Sequence, residues 1–204
     1  MTIVSFEPDF IFIKTHKTAG TSLEVHLASE CAADAIVTPI YPPHPHHTPR
    51  NASGYYNHMP AQAISAARPE HFDAAYKFAF ERHPVDKCLS FYAMLRHSPE
   101  HYSATTPRSW HAFVERGVFP VDDALYTDGE GRLIIDRLYR YEELEQSLHD
   151  IARRTGLRYR PLAVREKAGF RRADIPSFAE VMTDSTTRDR ILRAFASTLR
   201  HIAY

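Results

Sequence analysis

The stretch Phe10-Ile11-Phe12-Ile13-Lys14-Thr15-His16-Lys17-Thr18-Ala19-Gly20-Thr21-Ser22-Leu23-Glu24 decides how the rest of the chain is read. Its aromatic and β-branched opening predicts a buried strand. Small and hydroxylated residues follow, and then a helix start. Thr21 or Ser22 is placed to cap that helix, and Leu23, Val25 and Leu27 supply apolar positions just inside it. A strand that turns tightly into a helix N-terminus makes an anion site. The first-turn N–H groups have no intrahelical acceptor, and the helix dipole favours negative charge. Lys17 adds a mobile cation, Thr18, Thr21 and Ser22 add hydroxyls, and Gly20 lets the backbone approach a ligand closely. The competing reading is an ordinary strand–turn–helix with a surface lysine.

A second stretch, Phe80-Glu81-Arg82-His83-Pro84-Val85-Asp86-Lys87-Cys88-Leu89-Ser90-Phe91-Tyr92, repeats the theme. Arg82 ends a predicted strand, Pro84 suits the first position of a helix, and Ser90 lies two turns into it. A guanidinium and a hydroxyl brought to one point hold a phosphate. Taken singly, a strand-end arginine and a helix serine are common.

The loop is not the Walker pattern: no glycine opens it, and its lysine precedes its glycine. Lys17-Thr18-Ala19-Gly20-Thr21-Ser22 instead resembles the 5′-phosphosulfate loop of sulfotransferases that use 3′-phosphoadenosine 5′-phosphosulfate (PAPS). The pattern R-x-P-x-x-x-x-x-S-x-Y from Arg82 to Tyr92 resembles the 3′-phosphate-binding segment of the same family, with Arg82 and Ser90 at the matching positions. Arg140-Tyr141-Glu142-Glu143-Leu144 resembles, more weakly, a strand-then-helix segment of bacterial and glycan-type members. One position departs from the pattern. His16 stands where many members carry proline, which changes loop stiffness and puts an imidazole within reach of a ligand.

The resemblance implies a P-loop-like α/β fold, with a parallel β-sheet flanked by helices on both faces, in a single sulfotransferase-like domain over 1–204. It implies sulfuryl transfer from PAPS to a hydroxyl or amine of a small-molecule or carbohydrate acceptor, with PAP as the other product and no metal. Lys17 would neutralise charge on the leaving phosphate oxygen. Lys17, Thr18, Ala19, Gly20, Thr21 and Ser22 would hold the 5′-phosphate, and Arg82 with Ser90 the 3′-phosphate. A histidine suits the task of taking the acceptor's proton. His58, in Tyr55-Tyr56-Asn57-His58-Met59-Pro60, is chosen because that segment resembles the catalytic-histidine stretch of uronyl and related glycan sulfotransferases. A structural loop histidine is the alternative there, and Glu24 and Glu81 are weaker base candidates. Two other functional classes remain: a P-loop nucleotide or small-molecule kinase, and a non-catalytic nucleotide-binding module.

Composition sets the remaining limits. A chain of 204 residues suits one domain, and 44% hydrophobic residues supply a core. Lys plus Arg equals Asp plus Glu, 25 each, so overall charge gives no support to a nucleic-acid or membrane-surface partner. Cys31 and Cys88 show no pairing or metal-ligand spacing, and neither a secretory signal nor a membrane span is evident. A cytoplasmic protein is expected; nothing in the sequence sets an oligomeric state. The proline- and histidine-rich segment 39–53 reads as an exposed loop over the site, with no metal role expected for its histidines. Further strands are expected at 35–38, 74–81 and 133–141, and helices at 61–67, 84–96, 109–116, 142–155, 177–182 and 187–204. Acceptor-binding loops are expected at 39–53, 97–107 and the basic segment 158–172.

Overall fold

The computed structural model describes residues 2–162 and 172–204, so most of the basic segment, with Arg165, Lys167 and Arg171, lies outside the described residues. The described chain divides into two compact units, 2–81 with 122–162, and 82–121 with 172–204.

The first unit is built on five strands, β1 (Ile3–Phe6), β2 (Asp9–Ile13), β3 (Ile36–Val37), β4 (Tyr76–Glu81) and β5 (Arg137–Arg140), in the order β3-β1-β2-β4-β5. Strands β2, β4 and β5 run parallel, as the sequence predicts. The other edge does not. β1 and β2 form an antiparallel hairpin, with Phe6 opposite Asp9, and β3 pairs antiparallel to β1. The sheet is therefore mixed rather than wholly parallel. Only two residues, Glu7 and Pro8, link β1 to β2, too few for the helical crossover that a parallel pair needs.

Side chains alternate between the two faces of each strand. Phe10, Phe12, Phe78, Phe80 and Tyr139 meet Leu23 and Leu27 of α1 (Gly20–Glu30) and Leu148 and Ile151 of α6 (Leu144–Thr155). On the opposite face Ile11, Ile13 and Ala79 meet Ile64 of α2 (Ala61–Ala67) and Phe72 of α3 (Pro69–Ala74). Helices thus cover both faces of the sheet. In such sheets ligands bind beyond the carboxyl ends of the parallel strands, here the ends at Ile13, Glu81 and Arg140.

The second unit is helical. α4 (Pro84–His97) buries Val85, Cys88, Leu89 and Tyr92 on one stripe, as its three- and four-residue spacings predict. α5 (Trp110–Arg116) is capped by Ser109, and α7 (Phe178–Thr183) opens on a Ser177–Glu180 capping box. The helix expected over 187–204 is two, α8 (Ser185–Ala194) and α9 (Ala196–His201), divided at Phe195. The buried positions on either side of the division, Thr187, Ile191, Phe195, Thr198 and Ile202, keep three- and four-residue spacings. No helix among the described residues is long and apolar enough to cross a membrane.

Candidate active site

The first unit carries the loop that follows β2. Thr15 donates its hydroxyl to Phe80 O on β4 and lies 2.9 Å from the Thr18 hydroxyl. Both threonines are fully buried, so they tie the loop to the sheet rather than offer it to a ligand. Lys17 and Ala19 adopt left-handed backbone, at φ 62° and 58°. Two such residues two apart are costly for L-amino acids and persist where surrounding structure holds them, commonly at binding sites. Ala19 is the N-cap of α1, so the helix begins at least two residues earlier than a cap at Thr21 or Ser22 would place it. Neither Thr21 nor Ser22 caps it; both are in its first turn, where their N–H groups join that of Gly20 at the positive end of the helix dipole.

The role expected of Gly20 needs correction. A Cβ there would stand 2.7 Å from Lys14 Cε and 3.1 Å from its Cγ. Gly20 is small because the Lys14 side chain runs across it to an ion pair with Glu24, Nζ to Oε2 3.0 Å. The two side chains are 10% and 0% exposed, which removes Glu24 from the list of bases accessible to an acceptor. Glu81 is fully buried as well, its Oε1 3.5 Å from the Tyr126 hydroxyl. Gly20→Ala is expected to push Lys14 off Glu24 and destabilise the fold by about 2 kcal/mol, despite alanine's better helix propensity. Urea unfolding of the two proteins measures it; an alanine variant as stable as the parent would show that Lys14 re-routes without loss.

His58 packs beside this loop. It too has positive φ, 57°, and its Nδ1 lies 3.1 Å from Lys14 O, which makes Nδ1 the protonated nitrogen of the neutral ring. Its ring stacks on that of His16, centroids 3.9 Å apart and 3° from parallel. Burial, helped by the neighbouring His16 and Lys14, pushes the His58 pKa down to about 2. A general base works best with a pKa near the operating pH, so His58 is poorly suited to the role expected of it.

Linkage fixes a consequence. The unfolded chain takes up a proton on this histidine near pH 6.5 and the folded one only near 2, so stability falls as pH drops below about 6.5. At pH 5 the deficit is on the order of 2 kcal/mol. His58→Asn tolerates the left-handed backbone and cannot titrate, so it should lose that much less stability between pH 7 and pH 5. Denaturant melts at the two pH values would measure the difference, and identical pH dependence in both proteins would mean His58 is charged in the fold.

His16, the departure noted in the sequence, has a partner 106 residues away. Asp122 Oδ2 accepts its backbone N–H at 2.6 Å, and Asp122 Oδ1 lies 2.7 Å from its ring Nδ1. The imidazole is 39% exposed and the carboxylate 4%. No motif marks Asp122 in the sequence.

The second unit carries Arg82 and Ser90. The guanidinium is gripped by Asp86 one turn on, with Nε and Nη2 each 2.5 Å from Oδ2. Asp86 and Ser90 are four apart on α4 and share a face. His83 caps α4 through Nδ1, 3.3 Å from Val85 N, and packs edge-on against Phe178 and Tyr204. Lys17, Thr18, Ala19, Gly20, Thr21, Ser22 and His58 thus belong to the first unit, and Arg82 and Ser90 to the second.

The segment 39–53 is tied to the first unit at its C-terminal part. Arg50 pairs with Val37 as a β-bridge and donates Nη2 to the carbonyls of Ala28, Cys31 and Ala32, at the C-terminal end of α1. His47 Nε2 is 3.0 Å from Thr38 O.

The architecture is that of an α/β protein whose leading parallel strand feeds a phosphate-loop-like turn. No family model matches the chain, and no curated protein does. Among solved structures, that of mouse sulfotransferase SULT7A1 complexed with PAP is similar over 94% of this chain and 85% of that one, at 14% identity and a TM-score of 0.52. The chain therefore has the fold of that sulfotransferase.

Proposed function

We propose that the chain is a PAPS-dependent sulfotransferase that moves a sulfuryl group to a hydroxyl or amine of a small-molecule or carbohydrate acceptor. The observation that carries this is the 15–22 loop: a lysine and an alanine in left-handed backbone, ahead of a helix N-terminus, at the carboxyl end of a parallel strand, in a fold shared with a PAP-bound sulfotransferase. The first-turn N–H groups of Gly20, Thr21 and Ser22 hold the 5′-phosphate, and the left-handed turn at Ala19 aims them. Lys17 sits beside the bridging oxygen and offsets the charge that grows on it as the sulfuryl group departs. Thr18 fixes the loop from below. Arg82 and Ser90 are assigned to a 3′-phosphate, the group that distinguishes PAPS and PAP from ATP and ADP. His58 keeps a neutral ring stacked behind His16.

Calorimetry with PAP and ADP, with and without Mg²⁺, tests this together with ³⁵S transfer from PAPS to mixed glycan and phenol acceptors. PAP should bind at least about tenfold more tightly than ADP without the metal, a difference of ~1.4 kcal/mol. Preference for ADP or ATP with Mg²⁺ would point to a kinase, and PAP binding with no transfer to a binding module.

A further inference from the structure

We infer that His16, held by Asp122, is the general base that takes the acceptor's proton; this rests on the sulfotransferase reading above. Three features of the first unit carry it. Asp122 accepts from both the backbone N–H and the ring Nδ1 of His16, at 2.6 and 2.7 Å, which fixes the ring's position and its tautomer together. The neutral ring then carries its proton on Nδ1 and its lone pair on Nε2, as in other carboxylate–histidine pairs. The carboxylate is 4% exposed and the imidazole 39%, so the charge that stabilises an imidazolium is shielded while the ring remains accessible. Lastly, His16 immediately precedes Lys17 in the chain, and so adjoins the group assigned to the leaving oxygen.

His58 lacks these features. Its Nδ1 faces the Lys14 carbonyl and its ring face lies on His16. The groups that face His16 are Asp122, from the turn before Asp123–Leu125, and the His58 ring on its flat side. The stacked neutral His58 ring restricts rotation of His16, which leaves Nε2 one direction in which to accept.

The step balances without a further reagent. The acceptor oxygen forms a bond to sulfur as the bond from sulfur to the bridging 5′-phosphate oxygen breaks. That bond's electron pair stays on the phosphate oxygen, next to Lys17. The acceptor's hydroxyl proton moves to His16 Nε2, Asp122 remains ionised, and the imidazolium later gives its proton to water. His16 is thus a catalytic residue and Asp122 a positioning one.

Acceptor acidity gives the test a readout that a structural role would not move. With ³⁵S-labelled PAPS, transfer is measured to 4-nitrophenol, to 4-methoxyphenol and to 2-phenylethanol, and to water as sulfate release. His16→Gln should lower transfer to 2-phenylethanol, 4-methoxyphenol and water by about 10²-fold, and to 4-nitrophenol, already about half ionised near neutral pH, by far less. Added imidazole should restore part of the loss in His16→Ala. Asp122→Asn should show the same acceptor pattern, because it disturbs the tautomer and position of the same ring. PAP affinity and melting temperature, read on every variant, separate lost chemistry from lost folding. Equal losses for all acceptors, or none, overturn the assignment while PAP binding leaves the sulfotransferase reading standing. Wild-type protein that binds PAP but transfers to no probe, water included, also overturns the dyad. Protein that neither binds PAP nor transfers overturns both.

Discussion

Lys17→Ala is expected to lower kcat for sulfuryl transfer by about 10³-fold, with the fold intact and PAP affinity reduced far less. The size follows from where charge develops. The transferred group passes between two oxygens with little covalent help, so catalysis consists of position and charge neutralisation, and loss of one well-placed charged donor removes about 3–4 kcal/mol of transition-state stabilisation. The fold should survive because alanine bears the same left-handed cost as lysine at φ 62°, and because buried Thr15 and Thr18, not Lys17, pin the loop to β4. Single-turnover transfer of ³⁵S at saturating PAPS measures the chemical step, and a thermal melt checks the fold. An alanine variant with parental turnover would take Lys17 out of the mechanism. A variant with parental kcat but a much weaker PAPS affinity would make it a ground-state anchor only.

The sequence made the strand–loop–helix legible because each part is signalled locally: β-branched and aromatic residues for β2, small residues for the turn, an apolar stripe for α1. The same holds for β4 and α4, where Pro84 marks the helix start to the residue. The hairpin partner β1 had a signal of its own in Ile3-Val4-Ser5-Phe6 ahead of Pro8, and its neighbour to the sheet edge, β3, is only two residues long. What a sequence hides is long-range pairing. Nothing in Lys14 or Glu24 announces that they meet over Gly20, so the glycine reads as ligand-facing when it makes room for a lysine stem. Asp122 is one of two adjacent aspartates between apolar residues, and only the folded chain sets it against His16. His58 was legible as a residue of the site region, but its protonation is decided by burial, which no motif encodes.

Arg82→Ala should weaken PAP binding by about 10²–10³-fold and AMP binding hardly at all. The two ligands differ only in the 3′-phosphate, so the ratio isolates the contact assigned to Arg82. A charge-assisted fork to phosphate is among the stronger polar contacts, and a lost partner leaves the phosphate without its counter-charge. Asp86 sharpens the contrast. It now holds Nε and Nη2 of the guanidinium at 2.5 Å, with the two side chains only 12% and 20% exposed. Without the arginine its carboxylate loses that counter-charge, which would further disfavour an anion bound there. Arg82→Lys retains charge but not the fork, and should fall between alanine and the parent for PAP alone. The alternative predicts otherwise. If the pair with Asp86 only braces the start of α4, alanine lowers stability by a modest amount, as partly exposed i,i+4 pairs do, and changes both affinities equally. Calorimetry with PAP and AMP, run well below the melting temperature of each variant, decides between them. Equal losses for the two nucleotides would deny Arg82 the 3′-phosphate, and with it the feature by which this chain is proposed to tell PAPS from ATP.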